Sequence, residues 1–276
     1  LVIRVSGRPD RPIHIIHRRE AGTSEAMLRH LVRVAPSAEA TLLESGAPAS
    51  RASAVIEAEL GEGATLHHIR SQGREEERRG VTHLFARLGE AAQLKSFTMS
   101  ANGALTRNEY VIWLAHEQAS AHVAGAAVGD GHYHQDDTIL VVHEAANCES
   151  RQVFKKVLRE GATGVFQGKI LVRPGAQKTD GYQIAQGLLL DETGVFQSKP
   201  ELEIHADDVA CSHGTTCGEI DPEQLFYLRS RAIPQDEAET LLILSFLAEA
   251  VEEIADPALA EEVRLRLDGW LRRHKR

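Results

Sequence analysis

From Val2 to about Ile220 apolar and polar positions alternate in short runs separated by turn residues. The run Val81-Thr82-His83-Leu84-Phe85-Ala86-Arg87-Leu88 switches with a period of two, and residues 52–60 do so in part. Successive side chains of an extended chain point to opposite faces, so this period predicts strands with one buried face. Tyr110-Val111-Ile112-Trp113-Leu114 and Thr138-Ile139-Leu140-Val141-Val142-His143 are rich in β-formers and predict strands buried on more than one face. Gly61, Gly63, Gly80, Gly89 and Gly103 punctuate the runs at turn positions. The charge run Glu75-Glu76-Glu77-Arg78-Arg79 predicts a solvated turn. The main helix candidate in this stretch covers residues 24–31.

One segment recurs. Thr163-Gly164-Val165-Phe166-Gln167 returns as Thr193-Gly194-Val195-Phe196-Gln197, and Lys169 is echoed by Lys199. A repeat of about 20–50 residues in a strand-rich chain suggests a solenoid whose coils bury their inner faces on one another. A β-sandwich satisfies the same strand spacing. At Asp221 the character changes. Asp221-Pro222-Glu223-Gln224 is a helix start, with Asp at the cap, Pro at the first helical position and Gln in the capping-box position. Pro234 opens a second helix in which Leu244, Leu247, Val251 and Ile254 recur at helical spacing, and Asp256-Pro257 starts a third carrying Leu259, Val263, Leu267 and Trp270. Leu241, Leu242, Ile243 and Phe246 make the second helix apolar nearly all round, so it must pack on the β-core, a partner or both. The pattern predicts a β-core over residues 1–220 and a helical domain over 221–276.

The 276 residues, with 42% hydrophobic content, suffice for one sizeable core plus an appendage. A net charge of −9 disfavours a nucleic-acid binder, whose affinity rests on Lys/Arg–phosphate contacts. The basic tail Arg272, Arg273, Lys275 and Arg276 reads as solvated. Three cysteines (Cys148, Cys211 and Cys217) do not make a secreted disulfide framework, and no apolar run approaches a membrane span. No signal-peptide pattern opens the chain, and a reducing cytoplasm fits these features.

Four motifs are candidates for chemistry. Residues 161–170 superficially suggest a phosphate loop, but the glycine spacing is wrong and no Ser or Thr follows Lys169 to hold magnesium; the glycines are expected to turn the chain. His132 and His134 are two apart, with Asp136, Asp137 and His143 close behind. A metal-dependent enzyme would use His132, His134 and His143; the competing reading has His143 hydrogen-bonded to a neighbouring coil. Asp207 and Asp208 point to opposite faces of a strand, so they are expected to shape a turn rather than act as a glycosidase pair. Cys211 and His213 would share a strand face, with Cα atoms roughly 6.5–7 Å apart. Cys217 would lie about 20 Å from Cys211 on an extended chain, although Gly214 allows a reversal. Cys148 reads as a core thiol.

The stretch Ala206-Asp207-Asp208-Val209-Ala210-Cys211-Ser212-His213-Gly214, followed by Phe226-Tyr227-Leu228-Arg229-Ser230-Arg231, resembles the SufB/SufD family, and the SufD branch more than the SufB branch. Asn147-Cys148-Glu149-Ser150-Arg151-Gln152, Val165-Phe166-Gln167-Gly168-Lys169-Ile170 and Gln177-Lys178-Thr179-Asp180 fit the same family. The resemblance is specific over about residues 134–250. It implies an all-β core, a right-handed parallel β-helix, with a C-terminal α-helical subdomain and no catalysis of its own. It implies pairing with a SufB-like subunit, docking of a SufC-like ATPase on the helices, and a transient iron–sulfur cluster at the subunit interface. A homodimer in the absence of the partner is plausible for paralogous subunits. Cys211 and His213 are the matched assembly-site positions. Phe226, Tyr227, Arg229 and Arg231, together with Leu244 and Leu247 from the apolar helix, are the expected ATPase-docking residues. Cys217 and Ala232 depart from the family, which usually has no cysteine at the first position and a Gly at the second. The chain begins with Leu1, and the resemblance implies a longer parent with an N-terminal helical region.

Overall fold

A computed structural model describes residues 1–20, 22, 24–73 and 77–273. The strands follow in chain order as β1 (Val2–Val5), β2 (Ile13–His17), β3 (Glu25–Val34), β4 (Glu39–Gly46), β5 (Arg51–Leu60), β6 (Thr65–Gly73), β7 (Arg79–Leu88) and β8 (Gln93–Ala101). They continue as β9 (Leu105–Leu114), β10 (Ser120–Gly129), β11 (His134–His143), β12 (Glu149–Leu158), β13 (Thr163–Val172), β14 (Asp180–Leu189), β15 (Val195–Ile204) and β16 (Ala210–Gly218). Odd-numbered strands form one eight-stranded sheet and even-numbered strands the other, each in sequence order. Every pairing is parallel, so the chain winds through both sheets once per coil: a parallel β-helix. The solenoid prevails over the sandwich because each strand finds its partner one full coil away. Arg79 pairs with Leu105, 26 residues on, and Thr163 with Val195, 32 on.

The period-two pattern sets the register. In β9 every second residue is buried, and Tyr110, Ile112 and Leu114 face inward with exposures of 1% or less. Stacked inward rows from both sheets meet as the core, which includes Ile56, Leu84, Tyr110, Phe154 and Phe166. The Thr163 and Thr193 echoes lie two residues out of register, since Phe166 stands opposite Ser198 and Phe196 opposite Gly164. An even offset keeps both rings inward. Gly164 and Gly168 lie inside β13 rather than at turns. A Cβ on Gly164 would stand 2.8 Å from Lys156 Cδ, and one on Gly168 would overlap Gln183 and Phe166. Gly80 likewise lies within β7.

The six corners from β3–β4 to β13–β14 each turn through a left-handed residue followed by a small buried one. Ser37, Gly63, Ala91, Gln118, Asn147 and Lys178 all have φ between 52° and 61°. They precede Ala38, Ala64, Ala92, Ala119, Cys148 and Thr179, all 2% exposed or less. The corner N–H groups bond to the next coil, as in Gly63 N–H to Glu90 O at 2.7 Å, so the ladder continues through the turn. Cys148 belongs to this small-residue column and donates to His116 O (3.2 Å), as expected of a core thiol.

Residues 24–31 are not helical: they lie in or beside β3, where His30, Val32 and Val34 point inward. In the charge run, residues 75 and 76 lie outside the described set. Arg78 is not solvated but 5% exposed, donating to Thr106 Oγ1 at 2.8 Å.

Three helices complete the chain: α1 (Pro222–Ser230), α2 (Gln235–Val251) and α3 (Pro257–Arg273). Asp221 caps α1, accepting from Glu223 N (2.8 Å) and Gln224 N (3.5 Å). α2 lies across the outer face of β10 and β12, where Ala124, Ala126 and Val128 leave room for its Ile243, Leu247 and Ala250. Val263, Leu267 and Trp270 of α3 join the same cluster. No described helix is long and apolar enough to cross a membrane.

Candidate functional site

β15 and β16 end the two sheets, and each pairs on one side only. The other side of each presents unpaired backbone N–H and C=O groups. In β16 Cys211 stands opposite Gly181, His213 opposite Gln183 and Cys217 opposite Gly187. Those three partners are buried inward residues of β14, so Cys211, His213, Thr215 and Cys217 extend the inward row by one step. Among the described residues no further coil covers them: Cys211 is half-buried, and His213 and Cys217 are exposed. The inward row of β15, from Phe196 through Ser198, Pro200 and Leu202, faces them across the open end.

Gly181 makes room for the thiol, since a Cβ there would stand 3.2 Å from Cys211 Sγ. Burial pushes the Cys211 thiol up and Asp180 adds to the rise, while the Gly181 backbone hydrogen bond opposes it. Burial also raises Cys217. Both thiols are therefore protonated at neutral pH and become ligands only when a metal displaces the proton.

β16 runs straight through Gly214, which pairs with Ile184. The reversal that would bring Cys217 to Cys211 does not occur, and six extended residues leave them about 20 Å apart. Cys211 and His213 stay two residues apart on one strand face, without Cys217 beside them. Asp207 and Asp208 lie in the bend before β16, where Asp208 N–H donates to Gln177 Oε1 (2.9 Å) and its carboxylate pairs with Lys178. They shape a turn, in which the Asp208 carbonyl oxygen accepts from Lys178 N–H at 2.6 Å.

The histidine cluster does not assemble. His132 is exposed in the turn before β11, and His134 and His143 occupy opposite ends of that ten-residue strand, roughly 30 Å apart. His143 is fully buried, bonded to Ser150 Oγ at 2.9 Å and Thr179 Oγ1 at 3.4 Å. His132, His134 and His143 are too far apart to share an ion, and the expected bond of His143 to a neighbouring coil is the one to Thr179.

The helical residues divide into two groups. Phe226 (73% exposed) and Tyr227 (55%) stand out from α1, which has no buried residue. The Arg231 guanidinium lies 4.6 Å from the Tyr227 ring centroid, and Arg229 is exposed in the last turn. Leu247 is 0% exposed against the solenoid and Leu244 is partly buried beside it. These two hold α2 to the sheet, so Leu247 presents nothing to a partner. The pattern of α2 did not reveal which of its apolar sides meets the core.

Sequence reasoning passed over a buried polar group at the opposite end of the solenoid: His30, Glu44, His68 and Arg70, all 6% exposed or less. Each occupies an inward position of an alternating strand, and that misplaced polarity was the available signal.

Residues 15–246 match the family described as SUF system FeS cluster assembly, SufBD core domain. The chain belongs to the SufBD core family. It is 32% identical over 275 residues to the iron–sulfur cluster assembly protein SufD of Escherichia coli K12, covering 97% of this chain and 65% of that protein. A SufBD family protein of Synechocystis is 30% identical over 92% of this chain and 59% of its own length. SufD of Bacillus subtilis is 35% identical over 127 residues, 46% of this chain and 29% of that protein. The chain thus spans less than two thirds of the length of the first two relatives. It is SufD-like, and in it the Cys211–His213 strand β16 and helix α1 are left without a buried outer face.

Proposed function

We propose that this chain is a SufD-like scaffold subunit of the Suf iron–sulfur assembly machine. It pairs with a SufB-like subunit, docks a SufC-like ATPase and performs no catalysis itself. The observation that carries the reading is the open coil end, where Cys211 and His213 continue an inward row beside unpaired strand edges. Iron needs more ligands than two, so a second chain completes the site. Thiolate and imidazole both ligate iron, and imidazole in place of thiolate donates less electron density, which suits a cluster that is cargo to be handed on. Exposure of Phe226, Tyr227 and Arg229 on a helix with no buried residue supports α1 as the ATPase contact. The setting for this work is a reducing cytoplasm.

Co-expression with SufB-like and SufC-like subunits under anaerobic conditions, followed by iron and sulfide analysis, tests the assembly role. Cys211→Ala combined with His213→Ala is expected to abolish cluster formation while shifting stability by less than about 1 kcal/mol, because both sites lie at an edge. A normal cluster yield from the double variant removes Cys211 and His213 from the site. Phe226→Ala with Tyr227→Ala is expected to lose the ATPase in a pull-down with an unchanged melting temperature. Retained binding places the contact elsewhere.

A further inference from the structure

The first coils hold three potential ligands side by side. His17 ends β2 one row along from Ile15, which pairs with Glu44 of β4; His30 of β3 stands opposite the core residue Ile56. All three side chains point into the solenoid. One ligand atom from each of His17, His30 and Glu44 lies within 4.8 Å of the other two, the one such group among the described residues. The His17 and His30 ring centroids are 5.7 Å apart. Neither ring nitrogen of His30 has a hydrogen-bond partner, although the residue is only 6% exposed.

A buried imidazole with both nitrogens unsatisfied is costly, and coordination would remove that cost. Glu44 is already apportioned: Oε2 accepts from Arg70 Nε at 2.8 Å and lies 3.4 Å from His68 Nε2, while Oε1 is 2.9 Å from His17 Nε2. Arg70 keeps Glu44 a carboxylate and occupies one oxygen, leaving Oε1 to share an ion with His17. Two ligands on a tetrahedral ion with bonds of about 2.0–2.2 Å lie roughly 3.3 Å apart, so little movement is needed. A cavity of about 40 Å³, lined in part by His17, Glu44, Arg70 and Arg78, adjoins the group. That is room for one water as a fourth ligand.

We propose that His17, His30 and Glu44 bind one divalent first-row transition-metal ion inside the first coils. Two imidazoles, a carboxylate and a water suit Zn²⁺, Fe²⁺ or Co²⁺, and the absence of a thiolate separates this site from the Cys211 edge. The ion would join β2, which pairs on one side only, to β3 and β4, and the proposal does not depend on the cluster-assembly role.

Titration of the chain with Co²⁺, followed by visible absorption and by Zn²⁺ competition, tests it. The expected result is one equivalent bound, d–d bands without a thiolate charge-transfer band, and a melting temperature that rises with Zn²⁺. His30→Leu removes a side chain that makes no hydrogen bond, so it should fold as the parent does yet bind at least about 100-fold more weakly, above the range for loss of an outer partner. His17→Gln, which keeps a donor for Glu44, should lose the ion as well and decides the matter if His30→Leu misfolds. No binding by the folded parent overturns the proposal. So do a thiolate charge-transfer band and parental affinity in the deciding variant.

Discussion

His143 shows how a single inward position sets a pH dependence. Burial pushes its imidazole down to about 4, against a smaller opposing pull from Asp180. Unfolded, the ring takes up a proton near its ordinary pKa of about 6.5. Between these values the unfolded state binds more protons, so stability is complete above about pH 6.5 and falls as pH drops towards 4, by roughly 3 kcal/mol in all. Urea unfolding across this window should show a steeper loss for the parent than for His143→Gln; parallel curves would exclude His143 as a source. The corner column is legible at the same scale only in hindsight. Ser37, Gly63, Ala91, Gln118, Asn147 and Lys178 share a backbone conformation but no side-chain chemistry. The repeat therefore shows only in the small residue that follows each of them.

Among the elements, strands were easier to read than their register. Residues 24–31 carry apolar residues at spacings that suit a helix, yet β3 pairs along its whole length with β5, and with β1 from Leu31 on, which turns His30 inward. Tertiary pairing overrides local propensity here. The end of α1 falls just before Ala232, the position where the family usually has Gly. Ala232 N–H donates to Arg229 O (3.0 Å) and Ile233 N–H to Leu228 O (3.4 Å), a Schellman turn with Ala232 at φ 63° where glycine is ordinarily used. Ala232→Gly should relieve the Cβ strain and raise stability by about 1 kcal/mol, read as a shift in the denaturation midpoint. No gain, or a loss, would show that the turn is held by its surroundings.

At the scale of the whole molecule α2, α3 and the solenoid share one apolar cluster. α2 and α3 cover Ala124, Ala126, Val128, Val153 and Val157 on the outer face of the even-numbered sheet. His122 Nδ1 and Glu253 Oε2 meet at 2.9 Å, and Lys155 pairs with Glu249, so polar contacts border the same seam. Truncation before Asp221 should expose this apolar face and cause aggregation, measurable as light scattering at concentrations where the full chain stays clear. A monodisperse truncated chain would show that the solenoid stands alone. Loss of ATPase binding on truncation would thus not locate the contact, whereas the exposed pair Phe226 and Tyr227 can be changed without opening the seam.

The period-two pattern by itself determined that residues up to about 220 form strands with a buried face, and the cap at Asp221 determined where helices begin. Both are local consequences of side-chain direction and backbone satisfaction. The motif around Cys211 and His213 was legible because its residues are contiguous. Only the tertiary structure decided that Cys217 stays apart, that His134 and His143 never meet, and that Leu247 faces the core. It alone brought His17, His30 and Glu44 together. Those outcomes depend on which residues stack from coil to coil, and coils of 26 to 32 residues carry no fixed count from which to read it.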